Sequence, residues 1–214
     1  MFTAKWILPI VCAGTALTAQ TSNDLNGLAA AARRYVSSGM AGSHDPQPME
    51  LCRMAGDIGT PNAPVLMTRA TDVQHWTFLY RLGGGAPEAP GAPVSAAGLS
   101  GQEDAAADDG IVLPQHKAVL AECSKGVFNR FRYSPKPVQA MKSLEYTWVA
   151  VPLESAILYL NANGYIRGFS SVALVRPDAP RYPDEFVYLF NCPWERTRVA
   201  ISCQSGAMVW TEMY

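Results

Sequence analysis

The last third of the chain carries the clearest pattern of hydrophobic and polar positions. Along residues 145–214, aromatic and β-branched residues alternate with polar ones in short runs. A period of two is typical of strands that bury one face, and the turn-forming residues between the runs are typical of hairpins. The pattern predicts an antiparallel meander of about five to six strands. We expect these strands at 146–151, 156–160, 170–176, 185–192, 197–203 and 207–211.

Two earlier stretches show the periodicity of helices. Residues 21–40 repeat apolar side chains every three or four positions, and Ser22 or Asn23 can cap the start. Residues 114–131 show a similar repeat, in which Val119, Cys123 and Val127 step along one face. Both stretches are therefore predicted to be helical.

The remaining segments are one strand and two irregular regions. Residues 73–82 alternate Trp76, Phe78 and Tyr80 with smaller or polar side chains, which predicts a strand. Prolines and glycines interrupt every period within 44–64. Residues 83–110 consist mainly of Gly, Ala, Pro and acidic residues and predict a flexible loop.

Together these elements predict an α+β fold whose antiparallel sheet lies in the C-terminal part and whose helices come from the N-terminal half. The expected organisation has four parts. They are a signal peptide at 1–19, a helix, an irregular segment and a strand at 20–82, the flexible loop at 83–110, and a helix with the antiparallel sheet at 111–214.

The N-terminus has the layout of an export signal. Lys5 supplies a positive charge, residues 6–16 are mostly apolar, and small residues precede a cleavage position after Ala19. We therefore expect a bacterial periplasmic or secreted protein. A formal net charge of −1 gives no reason to expect a nucleic-acid partner.

One run between residues 125 and 142 carries five cations and no acid, interleaved with aromatic residues. Arg130 and Arg132 lie in its centre and are candidates for an interface with an anionic glycan or lipid. The alternative is that the aromatics are buried and the cations only face solvent. Trp194 and Trp210 are the aromatic candidates for an interface with a protein, and Trp194 is expected to be exposed at its turn.

The cysteines fit an oxidising compartment. Removal of the leader leaves Cys52, Cys123, Cys192 and Cys203, an even number that suggests two disulfides of open connectivity. If 193–196 is a four-residue hairpin loop, Cys192 lies opposite Thr197 and the residue opposite Cys203 is Phe186. The two sulfurs would then be about 20 Å apart along the hairpin, too far for a bond to each other.

The sequence predicts no catalytic, cofactor or metal site. The three histidines, His44, His75 and His116, share no ligand-spaced motif with another histidine, cysteine or carboxylate. No nucleophile elbow, phosphate loop or dinucleotide fingerprint is present. A non-enzyme is therefore favoured over a hydrolase of unrecognised type or a Cys–His nucleophile.

The order of the C-terminal runs resembles a known family. The Trp148-led strand, the apolar run at 156–160, the run at 172–175 and the Phe190-Asn191-Cys192 segment follow one another as in the bacterial surface-adhesin protein E family. The resemblance covers about residues 146–210. It implies an exported antiparallel sheet domain without catalysis, and binding to host matrix or serum proteins is attributed to the type member of that family. We expect this chain to present a sheet face or an edge strand to a protein in the envelope or outside the cell.

A second hypothesis is a periplasmic inhibitor or immunity-type protein that blocks an enzyme such as a lysozyme. The turn of Ser205, Gly206 and Ala207 is similar to the Ser-Gly loop that periplasmic lysozyme inhibitors insert into their targets. A purely structural turn explains the same three residues.

Overall fold

The computed structural model describes residues 24–41, 48–59, 65–83, 118–134, 138, 141–144 and 149–214. The expected signal peptide, nearly all of the predicted loop at 83–110, Trp148, His44 and His116 lie outside these residues. The described elements are α1 (Leu25–Met40), β1 (Met49–Asp57), a 3-10 helix (Ala70–Asp72), β2 (His75–Leu82), β3 (Ala118–Ser124), β4 (Val127–Ser134), α2 (Leu153–Ala162), β5 (Ser171–Val175), β6 (Val187–Cys192), β7 (Thr197–Ser202) and β8 (Met208–Met213).

The strands form one sheet in the order β4-β3-β2-β1-β5-β6-β7-β8, and all of the neighbouring pairs are antiparallel. The N-terminal half, from α1 to β4, is a helix followed by a four-stranded meander, and so is the C-terminal half, from α2 to β8. The two meanders meet where β1 pairs with β5. The fold is therefore α+β as expected, but the sheet has eight strands in the described residues. Each half contributes four strands and one α-helix, so the prediction that the helices come from the N-terminal half is wrong for α2.

Both helices pack against the same face of the sheet, which we call the inner face. Leu28 and Val36 of α1 and Ile157 and Leu160 of α2 belong to one continuous buried cluster with the inward side chains of the strands. An aromatic contact helps to hold α1 in place: Tyr35 stacks on Phe128 of β4, with ring centroids 5.2 Å apart. The helix predicted at 21–40 is confirmed for Leu25–Met40, and Asp24 caps it by accepting a hydrogen bond from the backbone N–H of Gly27 at 2.8 Å. The predicted caps, Ser22 and Asn23, lie outside the described residues.

The segment predicted to be a strand at 156–160 is instead the middle of α2. Its buried positions are Leu153, Ala156, Ile157 and Leu160, which are spaced as one face of a helix and not of a strand. Leu and Ala are strong helix formers. The Asn163 and Gly164 pair ends this helix, with Gly164 at φ +94°, and does not form a hairpin turn.

The helix predicted at 114–131 is wrong where the structure describes it. Residues 118–134 form the hairpin of β3 and β4, with buried positions alternating along β3. The turn consists of Lys125 and Gly126, both at positive φ, which is the backbone that a tight two-residue hairpin requires. The four-residue spacing of Val119 and Cys123 fits both the helical period of 3.6 and the strand period of two. The tight turn at Lys125 and Gly126 is compatible only with the hairpin.

The irregular segment predicted at 44–64 contains β1. Its sequence is poor in β-branched residues, but β1 pairs on both sides, with β2 and with β5. Tertiary pairing therefore overrides a weak local preference. Among residues 146–151, those that the structure describes, 149–151, do not belong to a strand.

The last four strands, from β5 to β8, confirm the sequence prediction, and so does the register of the hairpin. Cys192 pairs with Thr197, and the backbone N–H of Cys203 donates to the carbonyl of Phe186 at 2.9 Å. Strand β2 is also confirmed, with Trp76, one of its inward-facing aromatics, buried.

Gly206 lets the turn between β7 and β8 pack against α2. Its φ is +75°, and a side chain there would collide with the ring of Tyr159. Gly164 has a similar φ of +94°, but a Cβ at that position would meet no atom within 4 Å. Substitutions at the two glycines therefore distinguish two effects: both would strain the backbone, but only that at Gly206 would also disturb close packing.

We expect Gly206→Ala to destabilise the protein more than Gly164→Ala. Both variants carry the strain of a left-handed backbone, about 1–2 kcal/mol, and Gly206→Ala adds overpacking of about 1–3 kcal/mol. Urea unfolding followed by circular dichroism measures both. Adding Tyr159→Ala should recover part of the loss for Gly206→Ala and none for Gly164→Ala. Equal losses for the two glycine variants would contradict the packing.

Candidate functional site

The face of the sheet opposite the two helices is the open face. On its C-terminal side it consists of outward-pointing residues of β5, β6, β7 and β8. Small and apolar side chains occupy its centre, where Ala173, Val175, Val187 and Ala200 form a buried cluster with Leu189 and Trp210 at its border. No described helix covers this cluster.

A groove of about 430 Å³ runs over this face. Its floor is formed by Ser171, Ala173 and Leu189, and arginines stand at its sides. The groove falls within the size range of small-ligand sites, about 300–1,000 Å³. The described residues that line it are Arg53, Met141, Ser171, Ala173, Val175, Pro177, Arg181, Tyr182, Leu189, Asn191, Arg198, Trp210 and Glu212.

A β-bulge turns Arg53 towards the groove. The register of β1 with β2 shifts between Leu51 and Arg53. As a result Leu51 packs in the inner core, whereas Cys52 is buried on the other side of the sheet and the next residue, Arg53, lines the groove. Bulges commonly re-aim side chains in this way next to functional sites.

The charge of Arg53 is poorly compensated. In the described part of the chain, Arg53 makes no ion pair. Desolvation by the surrounding sheet surface and, second, the Arg198 guanidinium lower the pKa of Arg53. Two like charges from different halves of the protein therefore interact across the groove.

The wall of the groove near β8 combines aromatic rings with one acid. Tyr182 stacks on Trp210 with ring centroids 4.6 Å apart. Glu212 lies 3.4 Å from Arg181 and 3.9 Å from Arg198, and it accepts a hydrogen bond from the Tyr182 hydroxyl at 3.4 Å. Among the described residues that line the groove, Glu212 is the only acid, against three arginines.

Ion pairs fasten the segment on the other side of the groove. The backbone carbonyl of Met141 accepts a hydrogen bond from Arg81 at 2.6 Å. Asp184 contacts Lys142 at 2.9 Å and Arg176 at 2.7 Å. The hydrogen bonds from Arg176 and then from Lys142 lower the pKa of Asp184.

The predicted interface residues lie at separate places. Trp194 is 65% exposed, as expected, with the Arg167 guanidinium 5.3 Å from its ring centroid. Trp210 is half-buried in the groove wall. Arg130 and Arg132 lie on β4 at 4.0 and 3.5 Å from Glu122.

The cations of the run at 125–142 therefore do not form one free positive surface among the described residues. Its last member, Lys142, is engaged with Asp184 instead. Lys136 lies outside the described residues. Arg130 and Arg132 remain candidates for an interface, but Glu122 offsets part of their charge.

These four cysteines are buried and form no disulfide in the described part of the chain, so the expectation of two disulfides is not met. Cys52 packs on the side of the sheet opposite the cluster that holds Cys123, Cys192 and Cys203. Four strand spacings separate Cys123 on β3 from Cys192 on β6, about 19 Å. Cys192 and Cys203 lie at opposite ends of the hairpin, so the sheet keeps all four sulfurs apart.

The described residues contain no group of three or more His, Cys, Asp or Glu side chains that could hold a metal ion. His75 lies 3.4 Å from Asp57 at the edge of the β1–β2 pair. None of the described helices is long and apolar enough to cross a membrane.

The turn of the inhibitor hypothesis is docked against α2. Gly206 is buried beneath Tyr159, whereas Gln204 and Ser205 are exposed. A target would therefore meet the polar residues of the turn first. The inhibitor hypothesis stays a prediction.

Comparisons with protein-family models, with curated proteins and with solved structures found no match to this chain. The resemblance to surface-adhesin protein E stays a prediction as well. Any functional argument therefore rests on the geometry of the chain.

Sequence reasoning missed most of the groove. Arg53 lies in a segment that the sequence predicts to be irregular, so the sequence assigns it to no sheet face. Arg198 alternates with the inward residues of a correctly predicted strand, and this alternation indicates an outward side chain. No local sequence signal indicates that the strand carrying Arg53, β1, pairs with β5, and this pairing brings Arg53 to the groove.

We expect Asp184→Asn to lower the melting temperature slightly at neutral pH. Because Arg176 and Lys142 depress the pKa of Asp184, its contribution to stability is complete above the unfolded value of 3.8 and is lost as the pH falls through the folded value. Melting curves from neutral to acid pH should show the variant and the native protein converging below that value. Asp178→Asn, which removes a single contact of 3.9 Å to Lys142, is the matched control with a smaller effect. A difference for Asp184→Asn that persists in acid would contradict the ion pairs.

We expect Cys192 to resist alkylation in the folded protein. Burial and, second, the Glu195 carboxylate raise the pKa of the Cys192 thiol to about 12. At about pH 8 iodoacetamide should modify Cys192 at least about a hundredfold more slowly in native than in guanidinium-unfolded protein. Peptide mass mapping measures both rates, and rapid native labelling would show that the site opens.

Proposed function

We propose that this protein is an exported, non-catalytic binding domain that contacts a partner protein through the open face of its sheet. The observation that carries the proposal is the groove, since its floor is mostly apolar and its walls carry arginines and a Tyr182–Trp210 stack. Interfaces between proteins are enriched in aromatic residues and arginine. The export signal expected at residues 1–19 agrees with a partner in the envelope or outside the cell.

The chemistry of the described side chains also favours binding over catalysis. The thiols of Cys192 and Cys203 are buried, and burial raises the pKa of each, which disfavours a thiolate nucleophile. The buried hydroxyl of Tyr188 donates to the carbonyl of Val151 at 2.9 Å and fixes the start of α2. These groups act in packing.

Rigid anchoring of the groove supports the same proposal. Its floor belongs to the central strands β5 and β6, and Asp184 and Arg81 fasten one wall. On the other side, the Tyr214 hydroxyl donates to the Asn191 side chain at 2.6 Å. A preformed surface loses little conformational entropy when a partner binds.

We expect a photo-crosslinking amino acid in place of Leu189 to capture a protein partner in the producing cell. The full chain carries p-benzoylphenylalanine at Leu189 in one variant and at the exposed Arg34 of α1 in the other. Adducts seen by immunoblotting and mass spectrometry should appear at Leu189 and not at Arg34, because Leu189 lines the groove and Arg34 is exposed on the helix side of the molecule.

A second substitution makes the test specific to the groove. Ser171→Trp fills its floor and should abolish the adduct at Leu189, while circular dichroism reports that the sheet is intact. No adduct at Leu189, or the same adduct at Arg34, would overturn the proposal that the open face binds a protein.

A further inference from the structure

The arginines of the groove differ in how they are compensated. Arg181 lies 3.4 Å from Glu212 and its guanidinium is 4.6 Å from the ring centroid of Tyr182. Arg198 is farther from the same carboxylate, at 3.9 Å, and lies over the ring of Tyr214. Arg53 makes no ion pair among the described residues, so the groove carries more positive than negative charge.

The backbone places two of these arginines, Arg53 and Arg198, in the same groove. The bulge after Leu51 points Arg53 into the groove from β1, and Arg198 enters it from β7. Two strands lie between them: β5 presents the small side chains of Ala173 and Ser171, and β6 presents Leu189 and Asn191. An incoming group can therefore reach the floor between the two guanidinium groups.

We propose that Arg53 and Arg198 together bind a carboxylate from an acidic segment of the partner, which inserts between them over the floor of Ala173 and Ser171. This inference rests on the proposed function and names the chemistry of the partner. A guanidinium group offers paired N–H donors that match the two oxygens of a carboxylate. The Tyr182–Trp210 stack then packs against the aliphatic stem of the acidic side chain.

Charge complementarity decides for an acidic segment. Both arginines line the same groove, and desolvation first and the charge of Arg198 second lower the pKa of Arg53, so an anion between them offsets an unfavourable concentration of positive charge. A basic or neutral segment would leave that repulsion in place. Glu212 pairs with Arg181 at 3.4 Å and more loosely with Arg198 at 3.9 Å, and it accepts a hydrogen bond from Tyr182, so it leaves Arg53 without an acidic partner among the described residues.

The first test uses glutarate as the probe. In NMR spectra of the uniformly ¹⁵N-labelled full chain, the Nε–Hε signals of Arg53 and Arg198 should move saturably with glutarate, and that of Arg34 should not. Glutaramide, the neutral analogue, should move neither. Inorganic phosphate at equal ionic strength should bind more weakly; phosphate binding as tight as glutarate would overturn the choice of a carboxylate.

The second test uses a fluorescein-labelled peptide of alternating Glu and Val, with a Gln and Val peptide as its match. Fluorescence anisotropy should show that Arg53→Gln and Arg198→Gln each weaken binding of the acidic peptide by roughly tenfold or more. Arg53→Lys should retain part of the affinity. Arg34→Gln, which changes the same charge on the helix side of the molecule, should have no effect.

The outcomes separate this inference from the proposed function. If the glutarate and peptide tests fail while crosslinking at Leu189 persists, the open face binds a protein by other chemistry and the carboxylate inference is overturned. If the arginine signals respond but Leu189 captures no protein, the anion site stands and the protein-binding proposal falls. Equal binding of the acidic and Gln peptides would likewise overturn the carboxylate inference.

Discussion

The antiparallel pairing of β1 with β5 is the contact on which the rest of the structure depends. In the described residues it consists of four Cα pairs, from Arg53 with Val175 to Gly56 with Val172. On the inner side it places Met54 beside Leu174, which joins the cores beneath α1 and α2 into one cluster. On the outer side it brings Arg53 from one half into the same groove as Arg198 from the other. Without this seam neither the common core nor the groove would exist.

Secondary contacts lock the two halves across the seam. Met67 and Phe169 exchange backbone hydrogen bonds of 2.8 and 3.0 Å, and the backbone N–H of Ala70 donates to Glu154 at 2.9 Å. Gly56 permits close packing at the seam, because a Cβ at that position would lie 2.5 Å from Val73. Strand pairing and these further hydrogen bonds therefore both hold the two halves together where the groove lies, and the binding surface is preorganised.

The sequence predicted elements well where local pattern and tertiary pairing agree. Strands β5 to β8 alternate clearly, and the loop at 193–196 sets the register of Cys192 with Thr197. Prediction failed where one apolar spacing fits two periods, as at Val119 and Cys123, and where β1 takes its conformation from two neighbours. Of the candidate site residues, Trp210 lines the groove, whereas Arg53 depends on a bulge and a long-range pairing that no local signal contains.

The repeated arrangement of a helix and a meander has a consequence for the order of folding. In the C-terminal half, the longest connection between β5 and β8 is residues 176–186, so the contacts of this meander are local and form at low cost in chain entropy. In the N-terminal half, β2 and β3 are separated by residues 83–117, and closing that longer loop costs more. The C-terminal meander should therefore act as a template on whose free β5 edge the N-terminal half docks late. A nascent or damaged chain would then expose β5 as an unpaired strand, the point at which two copies could exchange their N-terminal halves.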